Sequence, residues 1–177
     1  MNMPAKNRII LLTGAGKGKT TSAFGMALRA AGHGQRVCIL QFIKRGHDTG
    51  EARAFEKITG VEFHVCGEGF VMVKSGPVFE KHVRAAQAGL RLAALKLRDA
   101  VYGMVILDEV CGAVAHGLLS AQAVRDAVSS AVPGLTVVLT GRDACPELVA
   151  LADTVSRIEC VKHGMDFGWP AQEGVEL

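Results

Sequence analysis

What this sequence lacks narrows its function first. It holds one Trp and one Tyr, too few aromatic platforms for recognising single-stranded nucleic acid by base stacking. Its formal charge of +3 is far from the basic stripe of a nucleic-acid surface, although it suits a site for polyanionic small molecules. No apolar run is long enough to cross a bilayer. Residues 1–8 carry no apolar segment separate from the first strand and no cleavage-type motif, so no export signal is expected. Cys38, Cys66, Cys111, Cys145 and Cys160 form no C-x-x-C pair. They read as buried thiols in a reducing cytoplasm rather than as metal ligands or nucleophiles. There is no internal repeat, linker or low-complexity block, so one domain over 1–177 is expected, with room for a sizeable core.

What is present concentrates in one stretch. Residues 9–13, Ile-Ile-Leu-Leu-Thr, form an apolar run that ends abruptly in Gly14, Ala15, Gly16, Lys17, Gly18, Lys19, Thr20 and Thr21. The run reads as a buried strand, and the residues from about Lys19 onward as a helix. Between them, glycines let backbone N–H groups converge on an anion, and the helix start adds unpaired N–H groups and its positive dipole end. Lys19 is expected against the terminal phosphates of a nucleotide, and the Thr20 hydroxyl on Mg2+. The strict motif (Gly, four residues, Gly-Lys-Ser/Thr) is met at Gly18, Lys19 and Thr20. Thr13 stands where its first glycine belongs, and Gly14 follows one residue late. A glycine-rich turn without a ligand is the alternative.

Downstream, residues 20–31 read as a helix and 36–43 as a second buried strand, a βαβ unit with parallel strands. Residues 44–50 form a polar loop at that strand's C-terminal end, where Lys44 and Arg45 either meet phosphate or are simply solvated. A short helix over 51–58 and an alternating strand over 61–65 follow. After Gly67 and Gly69, the patch Phe70, Val71, Met72 and Val73 reads as a loop carrying apolar side chains toward a ligand, with a small extra strand as the alternative. Pro77 opens the longest helix, whose stripe is Phe79, Val83, Ala86, Leu90, Ala93 and Leu97. Leu92 and Leu95 lie off that stripe, leaving room for a second packed face or a subunit contact.

Residues 104–107 form an apolar strand ending in Asp108 and Glu109, the usual companion of a phosphate loop. Asp108 is expected to hold Mg2+, directly or through water, from the end of a strand neighbouring the loop's own, and Glu109 to ligate it or to position an attacking water. A Gly- and Ala-rich connection with a surface His116 leads to a helix capped by Ser120. A strand over 135–139, Arg142 on the ligand-bearing rim, a helix over 146–152 and a strand over 155–161 complete the pattern. The fold class is therefore α/β: a mostly parallel open sheet of about six strands with helices on both faces, on a RecA-like P-loop NTPase scaffold.

Residues 13–21, 41–44, 67–70, 107–109, 140–142 and 146–155 come in the order seen in the P-loop corrinoid adenosyltransferases, as do 161–163 and 171–177. The chain resembles that family, the cob(I)alamin or cob(I)yrinic acid a,c-diamide adenosyltransferases, over nearly its whole length. The resemblance implies alkyl transfer: Co(I) of a reduced corrinoid attacks C5′ of ATP, and intact triphosphate leaves. It implies that the loop from Gly14 and Ala15 through Thr21 binds the triphosphate and that Arg142 contacts the nucleotide. Lys19, Thr20 and Glu109 are then the catalytic residues, and Thr20, Asp108 and Glu109 surround Mg2+. A flavin-type reductase and a homodimer are the implied partners.

The chain departs from the family in places. Val71, Met72 and Val73 follow Phe70 where members tend to carry aromatics, Val110 to Val114 replace a Tyr-rich segment, and Asp143 stands in place of Asn. Phe70 and Met72 either face the corrinoid or simply pack. Two other readings stay open: a RecA-like Mg-dependent ATPase or kinase, and a non-catalytic nucleotide or corrinoid carrier.

Overall fold

The computed structural model of the chain describes residues 6–44 and 49–175. Arg45 and most of the polar loop expected around it lie outside the described residues. In chain order the elements are β1 (Arg8–Thr13), α1 (Lys19–Gly32), β2 (Arg36–Gln41), α2 (Gly50–Phe55), β3 (Val61–Val65) and α3 (Gly76–Leu97). There follow β4 (Tyr102–Asp108), α4 (Val110–Ala115), α5 (Ala121–Ser129), β5 (Thr136–Thr140), α6 (Pro146–Leu151) and β6 (Thr154–Arg157). A short 3-10 turn over Gly164–Phe167 comes last.

The six strands form one sheet in the order β3-β2-β4-β5-β1-β6, and every pairing among them is parallel. Alternation along the central strands sends side chains to both faces. Val105 and Leu107 of β4 join the core formed with α3, α4, α5 and α6. Met104 and Ile106 join the other, under α1 and α2, where the Phe24 and Phe55 rings meet edge to face at 5.3 Å. Burial on both faces explains why β2, β4 and β5 read as unbroken apolar runs.

Most expected elements are present; the differences lie in their ends and neighbours. β4 does not adjoin β1, as expected of a strand neighbouring the loop's own, because β5 lies between them. Residues 110–115, read as part of a connection, form α4, whose Val110, Cys111 and Ala113 are fully buried. β6 stops at Arg157, since the chain then turns onto the glycine loop: Gly16 N–H donates to Ile158 O at 2.8 Å. On α3, Ala86, Leu90, Ala93 and Leu97 of the expected stripe are buried, with His82 beside them.

At the β3 edge the Lys96 ammonium donates to Glu62 at 2.6 Å and to the Tyr102 hydroxyl at 3.0 Å, fastening α3 to the sheet. Cys38, Glu62 and His64 converge there within 4.8 Å of one another, with the Lys96 ammonium already serving as the cation. No helix among the described residues is long and apolar enough to cross a membrane.

Candidate nucleotide site

The site lies at the C-terminal ends of the strands, where an open parallel sheet places its ligands. The loop from Gly14 to Gly18 wraps the start of α1, and Gly18 itself is the N-cap residue at φ 115°, a left-handed conformation that costs an L side chain energy. Gly16 is required for a different reason. A Cβ there would lie 2.6 Å from Glu159 O, so the segment leaving β6 holds the loop from behind.

Lys19 is 6% exposed, and its ammonium donates to Gly16 O at 2.8 Å, curling the side chain over the loop. Burial pushes its pKa below the ordinary lysine value; Glu109 opposes this, Arg142 adds to it, and Asp108 opposes it. An anion arriving beside Lys19 favours the charged form that burial penalises.

Asp108 is the hub of the polar network. It is fully buried, and three neutral donors hold its carboxylate. Thr20 Oγ1 donates to Oδ1 at 2.9 Å, Thr140 Oγ1 to the same oxygen at 2.7 Å, and Gln41 Nε2 to Oδ2 at 2.8 Å. The Thr140 hydroxyl also accepts the Glu109 backbone N–H at 2.9 Å. That bond accompanies an unusual backbone: Glu109 sits at φ 59°, a left-handed conformation that few residues other than glycine adopt. Burial, then Asp108, raise the Glu109 carboxyl above its ordinary pKa, against Lys19, Arg142 and Lys44. Thr20, Asp108 and Glu109 together are oxygen donors of the kind that hold a hard divalent cation.

A cavity of about 800 Å³ opens over this network. Ala15, Gly16, Lys17, Gly18, Lys19, Thr20, Thr21, Glu109 and Arg142 line it, so the structure brings together nearly all the residues named for the nucleotide. Asp108 lies beneath its floor, and Gly14 turns away, its absent Cβ 2.3 Å from Ile158 O. Phe70 and Met72 are not among the lining residues. They stand 81% and 87% exposed on the loop after β3, so core packing does not account for them. That loop is nevertheless tied to the rim: Gly69 N–H donates to Ile43 O at 2.8 Å, one residue before Lys44, which does line the cavity.

Gln41 and Thr140, for which the sequence implies no role, both close apolar strands with a buried polar side chain. The far wall is equally unannounced: His163, Gly174 and Val175 come back over the loop, and Val175 O accepts the Lys17 ammonium. Those residues fall in the segments 161–163 and 171–177 that carry the resemblance, but nothing in their local chemistry marks a ligand wall.

An all-parallel sheet, a glycine loop capping the next helix, and a buried aspartate bonded to the loop threonine define a P-loop nucleotide-binding protein. A KaiC-like protein of Pyrococcus horikoshii has the same scaffold, with a TM-score of 0.52 over 88% of this chain and 72% of that one. At 14% identity that likeness shows the fold alone.

The sequence goes further: residues 5–177 match the ATP:corrinoid adenosyltransferase BtuR/CobO/CobP family, and the chain belongs to it. It is 40% identical over 170 residues to the corrinoid adenosyltransferase of Pseudomonas aeruginosa, spanning 96% of this chain and 83% of that protein. Against the corrinoid adenosyltransferase CobA of Salmonella typhimurium it is 40% identical over 168 residues, spanning 95% and 84%. A Sinorhizobium corrinoid adenosyltransferase is 37% identical over 175 residues, spanning 97% and 81%.

Proposed function

We propose that this chain transfers the 5′-deoxyadenosyl group of ATP to the Co(I) of a reduced corrinoid, releasing triphosphate. Membership of the adenosyltransferase family carries this reading. The cavity over the glycine loop supports it, being lined by Lys17, Lys19, Lys44 and Arg142, a cationic wall suited to a polyphosphate.

In the reaction the Co(I) electron pair forms the bond to C5′, while the C5′–O bond breaks and its electrons leave with triphosphate. The protein's task is to orient C5′ and to stabilise the leaving group. Loop amides at the start of α1 point at the phosphates, and the Lys19 ammonium neutralises charge that grows on them. No proton moves at carbon, so no general base is required. Thr20, Asp108 and Glu109 would hold Mg2+, which supplies further neutralisation of the triphosphate oxygens. Because Thr20 donates its proton to Asp108, its oxygen keeps lone pairs for the cation.

On the same reading Phe70 and Met72, exposed beside the rim, face the corrinoid. A flavin-type reductase supplies the electron that makes Co(I), and two copies of the chain pair. Five unpaired thiols fit a reducing cytoplasm.

Chemically reduced cobalamin or cobinamide mixed with ATP, Mg2+ and the protein under anaerobic conditions is expected to yield the light-sensitive spectrum of an adenosyl–cobalt bond. Release of ADP and phosphate without alkylation of cobalt would instead make the protein an ATPase or kinase. Tight binding with no turnover would make it a carrier.

A further inference from the structure

Gln41 is the last residue of β2, in register with Asp108 on β4. Its side chain is 1% exposed, deep enough that an apolar residue would be the ordinary occupant. Half of the amide is accounted for, since Nε2 donates to Asp108 Oδ2 at 2.8 Å. The other half is not: Oε1 is buried and accepts no hydrogen bond from any described residue. An unpaired buried acceptor is a net cost to the fold. A residue kept at that cost beside a site is better explained by what its donor does than by core packing.

The donor sets the rotation of the Asp108 carboxylate. Two hydroxyls, from Thr20 and Thr140, share Oδ1, and Gln41 alone among the described residues holds Oδ2 by a side-chain bond. Without it the carboxylate is held through Oδ1 alone, and the Thr20 hydroxyl loses the fully fixed acceptor that aims its lone pairs outward. We propose that Gln41 is a positioning residue for the divalent cation: by clamping Asp108 Oδ2 it holds Asp108 and Thr20 in the arrangement that binds the metal. It therefore sets metal affinity without itself touching nucleotide. The inference rests on the proposed Mg–ATP site and adds to it a residue outside the glycine loop and the acidic pair.

The test is calorimetric titration of the full chain with ATP, in EDTA and across a series of Mg2+ concentrations, with no corrinoid present. In Gln41→Met, which keeps the volume and removes the donor, the Mg2+ requirement is expected to rise by about 10- to 100-fold. ATP affinity in EDTA should stay within about twofold, because residues acting through separate partners add independently. On an Asp108→Asn background the same substitution should add little, about twofold or less, since its route to the metal is already cut.

Thermal unfolding in EDTA checks that the variant folds; if Gln41→Met does not, Gln41→Asn, polar but one methylene too short to reach Oδ2, is read the same way. An unchanged Mg2+ requirement, an equal loss of ATP affinity with and without Mg2+, or full additivity with Asp108→Asn would each overturn the proposal. Wild-type binding indifferent to Mg2+ would overturn the metal site itself along with it; wild-type dependence with an unmoved variant overturns only the role of Gln41.

Discussion

Lys19→Met separates the loop's chemistry from its architecture. The substitution keeps a stem of similar length in a position that is 6% exposed and removes only the ammonium. Loss of one preorganised donor to developing charge costs about 100- to 1000-fold in turnover, roughly 3–4 kcal/mol of transition-state stabilisation. Stability should respond differently. One hydrogen bond from a charged donor, to Gly16 O at 2.8 Å, disappears, a net cost of about 1.5–3 kcal/mol.

Against that stands the charge itself. Burial lowers the Lys19 pKa, so between its folded value and the ordinary lysine value the unfolded chain binds more protons and stability rises with pH. At any pH below both values the whole penalty for the buried ammonium is present, and Met removes it. The two effects oppose each other, and nucleotide-free stability should shift by less than about 3 kcal/mol. Turnover with reduced corrinoid and ATP, and urea unfolding without nucleotide, measure the two sides. Near-normal turnover would refute the assignment of Lys19 to the leaving group. A large loss of stability would show instead that the ammonium is a structural clamp.

Gly16→Ala forces a Cβ to within 2.6 Å of Glu159 O and should abolish ATP binding and lower the unfolding temperature. Gly25→Ala on the exposed face of α1, with nothing within 4 Å, should stabilise by about 0.5–1 kcal/mol and leave ATP binding intact, both read by thermal shift. Glu109→Gly relieves a left-handed backbone at φ 59° and should raise stability in urea by roughly 1 kcal/mol while reducing turnover; an unfolding midpoint that falls would count against stored strain at this position. Glu62 is held down to about 2 by its hydrogen bond to Lys96. Its contribution is therefore present above the ordinary glutamate value and lost as pH falls toward about 2. Glu62→Gln should flatten that acid-side decline in urea midpoints measured from pH 7 down to 3, and an unchanged slope would show the pair to be inert.

How far the sequence could be read follows from what each residue needs. Buried strands between helices announce themselves as apolar runs, so residues 104–108 and most of 36–43 were legible, although β2 ends at Gln41; 61–65 was legible by its alternation, as was the loop whose glycines and Lys19-Thr20 carry local chemistry. Ser120 was legible as a cap, and its hydroxyl does accept the Ala123 N–H at 3.1 Å. Strand order was not, because register between distant segments leaves no local trace; β5 therefore entered unseen between β1 and β4. α4 was hidden by its own burial, since Val110, Cys111, Gly112 and Ala113 are all interior and show no polar face to set a period. Gln41 and Thr140 left a fainter signal, a polar residue closing an apolar strand, which acquires meaning only once β2, β4 and β5 are known to be neighbours.

The central claim is that the loop holds a polyphosphate that departs whole when the sugar carbon moves to cobalt. Phosphorus NMR of a single turnover, with ATP, Mg2+ and excess Co(I) corrinoid, tests it most directly. Free triphosphate should appear in step with adenosyl-corrinoid, one for one. Signals of ADP and inorganic phosphate in its place would contradict it.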